Sequence, residues 1–165
     1  MLIVNAISGN IYKNDNLAKK IQEAKQHGTF RRLLLSRIEM EKSRLRKKTE
    51  DWFDIGLALE SGKKLQHGDI ILESSETILI EQLPEKILTV KFKDDNPELF
   101  LLVGHIIGNR HRPISINNKT ISFPIHDDSE MELFERLFRE VIDKIDLTVD
   151  EQRFIPHVGM DIHEH

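Results

Sequence analysis

The chain has 165 residues, 39% hydrophobic and 32% charged, with a formal net charge of -4 and no cysteine. Disulfides and thiolate ligands are therefore excluded, and a bound metal would have to sit on imidazole, carboxylate or carbonyl groups. No stretch approaches the ~20 apolar residues of a membrane span, and Met1-Leu2-Ile3-Val4 lacks the basic flank of a signal peptide, so a cytoplasmic protein is expected. The charge is uneven. Residues 19–48 carry eleven Lys/Arg against Glu23, Glu39 and Glu41, a local +8, which leaves -12 elsewhere. Such a band could meet an acidic partner or nucleic acid, or could simply be a solvated face.

Residues 2–12 read as one or two strands around Gly9. Leu17 to Lys25 has weak helical spacing and stops at Gly28. Strands are predicted at Arg31–Leu35, Ser43–Lys48 and Phe53–Leu59. Two more follow at Gly68–Leu72 and Thr77–Glu81, separated by Ser74-Ser75. These short strands suggest an all-β first domain, and Pro84-Glu85 marks a linker.

The second half changes character. Ile87–Phe92 is a strand. Asn96-Pro97-Glu98 then opens a helix in the expected order of cap, proline and acid. Leu99–Ile107 is apolar nearly all round, which predicts a mostly buried helix. Gly108 suits the left-handed position that ends it. Ile114–Ile116 and Ile121–Ile125 form a hairpin about Asn117-Asn118-Lys119. Ser129-Glu130-Met131-Glu132 reads as a capping box opening a second helix, with Phe134, Leu137, Phe138, Val141, Ile142 and Ile145 on one face. Leu147–Phe154 is the last strand. The order βαββαβ is the ferredoxin-like pattern. The fold class expected is thus α+β: a β-rich domain over 1–84, a ferredoxin-like domain over 85–156, and a histidine-containing tail over 157–165.

Chemistry gathers at the histidines. Gly108-Asn109-Arg110-His111 follows the apolar helix, and His157, His163 and His165 lie in the last nine residues. Neutral imidazole suits nickel, copper and zinc. Read alone, His111 could be incidental to a helix-ending turn, and the tail could be merely polar. One imidazole per chain is a poor metal site. A two-fold dimer with His111 near its axis would pair two copies, and tail histidines could close the site. His105, inside the apolar helix, reads as a satisfied core histidine, and His126 as a neighbour of the next helix cap, with a secondary metal ligand as the lesser alternative. There is no phosphate-binding glycine loop, no His-Glu-x-x-His and no nucleophile elbow, so an enzyme is not expected.

Ile107-Gly108-Asn109-Arg110-His111 with Pro113 is one of several elements with a familiar look. The alternating Lys42-Ser43-Arg44-Leu45-Arg46-Lys47-Lys48-Thr49 is another. So is Asp54-Ile55-Gly56-Leu57-Ala58-Leu59, followed by Lys64-Leu65 and Gly68-Asp69-Ile70-Ile71; Phe154, Pro156 and Gly159 suit the closing segment. In this order, from about Ser36 to His157, the chain resembles the UreE family of urease accessory metallochaperones. The resemblance implies an N-terminal domain of peptide-binding type and a ferredoxin-like metal-binding domain. It implies a homodimer that binds nickel, with zinc or copper as alternatives in vitro, and delivers it to a complex of urease apoprotein and an accessory GTPase. It makes His111 the shared interface ligand, His157 a further ligand, and His163 and His165 looser additions. The segment Asn14–Thr29 is longer and more helix-like than the family pattern. The rival reading is a ferredoxin-like RNA-binding module using the basic 19–48 segment. Such modules stack bases on sheet aromatics, and the C-terminal strands offer only Phe92, Phe123 and Phe154. No membrane or nucleic-acid partner is expected.

Overall fold

Leu83 and Pro84 divide the chain into two units in the computed structural model, which describes residues 1–157. The fold is mixed α+β. The first unit runs β1 (Leu2–Val4), β2 (Gly9–Asn10), α1 (Asn16–His27), β3 (Phe30–Leu35), α2 (Arg37–Met40), β4 (Arg44–Lys48), β5 (Asp54–Ala58), β6 (Asp69–Glu73) and β7 (Glu76–Gln82). One sheet has the order β1-β5-β4 and the other β2-β6-β7-β3.

The apolar runs Ile70-Ile71-Leu72 and Ile78-Leu79-Ile80 have no polar face, so both sides of their sheet must be covered. One side is. Ile71, Ile78 and Ile80 join Leu33, Leu35, Ile55, Leu57 and Val4 in a core shared with the three-stranded sheet. The opposite side carries Ile70 and Leu79 against Leu17 and Ile21 of α1. Leu17, Ile21 and Ala24 are spaced by four and three residues, which places them on one helix face. Burying Leu17 and Ile21 contributes about 2 kcal/mol each. The all-β expectation is thus corrected: the doubly buried sheet needs α1 as its second cover. Gly28 ends α1 in the left-handed conformation, φ 70°, as its position suggested. Ser74 and Ser75 make the β6–β7 turn with φ of 51° and 65°, the left-handed pair of a two-residue hairpin.

The second unit runs β8 (Glu85–Phe92), α3 (Pro97–Gly108), β9 (Ser115–Asn117), β10 (Thr120–Pro124), α4 (Asp128–Leu137) and β11 (Ile145–Gln152). The sheet order is β11-β8-β10-β9, and every pairing is antiparallel. Both helices pack on the face formed by Leu88, Val90, Phe92, Ile121 and Phe123. Phe123, Phe134 and Phe138 are fully buried, with ring centroids 4.6 and 5.8 Å apart along the series. The other face is polar, with the Thr89 and Ser122 hydroxyls 2.9 Å apart.

Two expectations for α4 are corrected. Its cap is Asp127, whose side chain accepts from the Ser129 N–H; Ser129 is a donor to the cap. The helix stops at Leu137, and a short 3-10 turn over Ile142–Lys144 leads into β11. Phe134, Phe138, Val141 and Ile145 are buried as the periodicity predicted, whereas Ile142 is exposed.

Candidate metal centre

Helix α3 carries the candidate site at its C-terminal end. Its start is local chemistry: Asn96 accepts from the Glu98 N–H at 3.0 Å, and Pro97 needs no donor in the first turn. Leu99, Val103 and Ile107 fix it to the core. At its end the Asn109 N–H reaches His105 O, the Arg110 N–H reaches Ile107 O, and the His111 N–H reaches Gly108 O, each at 3.0 Å. The last two are three-residue closures that tighten the final turn.

The left-handed residue of this turn is His111, φ 51°, and Gly108 is the last helical residue. This corrects the expectation for Gly108. Histidine is among the few residue types enriched at positive φ, but the conformation still costs about 1–2 kcal/mol. The turn reverses the chain towards β9, an edge strand of the sheet, and leaves the His111 side chain exposed.

The flanking arginines have separate fates. Arg112 donates to Pro124 O at 3.3 Å and forms an ion pair with Glu130. Burial pushes the Glu130 carboxyl up. The His126 N–H and the Arg112 guanidinium outweigh burial and hold it below the usual carboxylate range. His126 is exposed and contributes that backbone donor, 2.9 Å from Glu130 Oε2. Arg110 is exposed.

His157 comes to the same region through its backbone: its N–H donates to Ile114 O at 2.7 Å. Ile114 lies three residues beyond His111, immediately before β9. Phe154, 3% exposed, anchors the approach, and the His157 side chain is exposed. His163 and His165 lie outside the described residues. Among the described residues no three histidine, aspartate or glutamate side chains gather into a group able to hold a metal. A single chain thus presents exposed imidazoles on neighbouring segments without a closed cage.

His105 is corrected from core to surface. It is exposed, with Nε2 3.1 Å from Asn109 Nδ2. The same face of α3 carries Leu101 at 75% and Leu102 at 42% exposure. Only half of the apolar circumference is buried, because the sheet covers α3 from one side. This exposed stripe was missed in the sequence, although an apolar surface larger than one sheet can cover was its signal. Phe92, Phe123 and Phe154 are all buried, so none offers a ring for base stacking.

The basic 19–48 segment is spread over α1, β3, α2 and β4, and part of its charge is paired. Arg31 meets Asp51 and Glu76, Arg32 meets Glu50 and Glu81, Lys47 meets Glu39 and Arg46 meets Asp54. No helix among the described residues is long and apolar enough to cross a membrane.

Residues 10–81 match the family model described as UreE urease accessory protein, N-terminal domain. A urease accessory protein UreE of Streptococcus vestibularis is 27% identical over 153 residues, 93% of this chain and 97% of the relative. One from Bacillus cereus is 29% identical over 113 residues, covering 68% and 70%. One from Shewanella halifaxensis is 30% identical over 128 residues, covering 78% and 70%. By these matches, which take in both units, the chain belongs to the UreE family of urease accessory proteins.

Proposed function

We propose that this protein is a homodimeric nickel chaperone of urease maturation, and not itself an enzyme. Nickel is its cargo, with zinc or copper able to take the same ligands in vitro. The observation that carries the reading is His111: an exposed imidazole held at a strained turn by the buried helix behind it. Among the described residues, no hydrogen bond or ion pair engages that imidazole. Two copies related by a two-fold axis would bring two such groups together. Leu101 and Leu102, exposed on the face of α3 that carries His105, supply apolar surface for that contact.

In this reading the second unit is a ferredoxin-like metal-binding domain over 85–156, supported by its βαββαβ order and its sheet order β11-β8-β10-β9. The first unit, 1–84, is the β-rich domain of peptide-binding type. His157, His163 and His165 of the 157–165 tail complete the coordination. The dimer delivers its ion to the urease apoprotein and its accessory GTPase in the cytoplasm. Delivery fits a site built from exposed imidazoles, because each ligand can be exchanged for one on the receiving protein.

The test is nickel calorimetry with sedimentation on the natural chain and on His111→Asn. Asparagine tolerates left-handed backbone but lacks imidazole. The expected outcome is a dimer whose tightest site disappears in the variant while its circular dichroism is unchanged. Undiminished tight binding would move the site away from His111, and a monomer with and without nickel would end the shared-site reading.

A further inference from the structure

The edge of the first unit's three-stranded sheet holds an unfilled strand position. Ser43 O accepts from the Leu59 N–H at 2.7 Å, and the Thr49 N–H reaches Phe53 O at 2.9 Å. The register pairs Arg44 with Ala58, Arg46 with Gly56 and Lys48 with Asp54. Antiparallel pairs alternate between bonded and non-bonded, so Leu45 and Lys47 exchange bonds with β5. The N–H and C=O groups of Arg44, Arg46 and Lys48 point away from it. Strand β4 has β5 as its single neighbour, and no hydrogen bond among the described residues reaches those outward groups.

The side chains of the same three residues are exposed. Arg44 and Lys48 make no ion pair among the described residues. Arg46 holds Asp54 at 2.8 Å with its own side chain 71% exposed, a contact a competing carboxylate can replace. Basic residues can serve simply to keep an edge from pairing. The loop that follows argues for more. Five residues, Thr49 to Phe53, join β4 to β5; the Thr49–Phe53 bond closes them around Glu50, Asp51 and Trp52, and the last of these three is left-handed. That place ordinarily takes glycine or asparagine. Here it holds Trp52, φ 67° and 77% exposed, with Lys48 Nζ 5.1 Å from the ring centroid. Keeping an edge soluble does not require an exposed indole on strained backbone, whereas an aromatic anchor beside a docking edge does.

We infer that β4 receives an extended acidic segment of a partner protein by strand addition, with Trp52 as its apolar anchor. Alternate carboxylates, two residues apart, would lie beside Arg44, Arg46 and Lys48, while backbone bonds fill the edge. A nucleic-acid strand fits less well. Nucleic acid has no alternating N–H and C=O ladder to match the edge. The inference rests on the reading of the first unit as a peptide-binding domain and is independent of metal binding.

Trp52 is the only tryptophan of the chain, so its emission reports the site directly. The probe is a blocked nonapeptide of alternating glutamate and valine, titrated into the full chain. A saturable blue shift is expected, with slowed amide exchange at Arg44, Arg46 and Lys48. Trp52→Gly suits the left-handed backbone, and together with the double variant Arg44→Glu, Lys48→Glu it should weaken calorimetric binding about tenfold or more. Nickel binding by both should be unchanged. No saturable shift with the acidic peptide, an equal response to the same peptide with lysine for glutamate, or a response confined to a uridine oligonucleotide would each overturn the inference.

Discussion

His111 combines two demands that do not favour each other, an imidazole and a left-handed backbone. Glycine at that place should release strain, so His111→Gly is expected to raise stability by about 1 kcal/mol while removing the tight nickel site proposed above. Thermal unfolding beside nickel calorimetry reads both effects. A less stable variant would mean that the imidazole itself holds the turn. Glu130 offers a second residue-scale test. Its folded-state pKa is depressed by His126 and Arg112 against the opposing effect of burial. The contribution to stability is therefore complete above the unfolded-state value of about 4.3 and is lost as pH falls through the lower folded value. Glu130→Gln should be less stable than the natural chain at pH 7, and the difference should shrink from about pH 5 downward. Urea unfolding at stepped pH measures this, and a difference constant with pH would remove the ion pair as its cause.

Among the elements, the β6–β7 hairpin carries two serines in left-handed backbone. Replacing Ser74 with Asn and Ser75 with Gly supplies the preferred pair for that turn and should raise stability by about 1 kcal/mol, seen as a higher melting temperature. Helix α3 shows where sequence reading reached its end. Its beginning was legible because Asn96, Pro97 and Glu98 act within one turn. Its burial was not, because an apolar circumference says nothing about what covers each side. The same limit applies to Gly108 and His111. A glycine directly before an asparagine and an arginine invites the left-handed position, but two three-residue closures carry the turn on to His111. Leu101→Glu tests the uncovered side. The residue is 75% exposed, so the fold should survive and the dimer proposed above should dissociate in sedimentation. A dimer of unchanged strength would place its contact elsewhere.

At the scale of the whole chain, the strand and helix order was read almost entirely from periodicity and turn residues. The layering of the first unit was not, because the cover for Ile70 and Leu79 comes from α1, more than forty residues away in sequence. The candidate site divides in the same way. His111 stands in a local pattern and could be found from it. The approach of His157 to Ile114 depends on a bond between residues 43 positions apart, which no spacing rule predicts.

That bond has a kinetic meaning. A single backbone hydrogen bond nets about 1 kcal/mol, so, taken alone, it is open roughly a sixth of the time. While closed, it holds the imidazole of residue 157 near the His111 turn at an effective concentration no untethered ligand reaches. While open, that imidazole moves away without unfolding anything. In the chaperone proposed above, such a latch would make capture fast and retention brief.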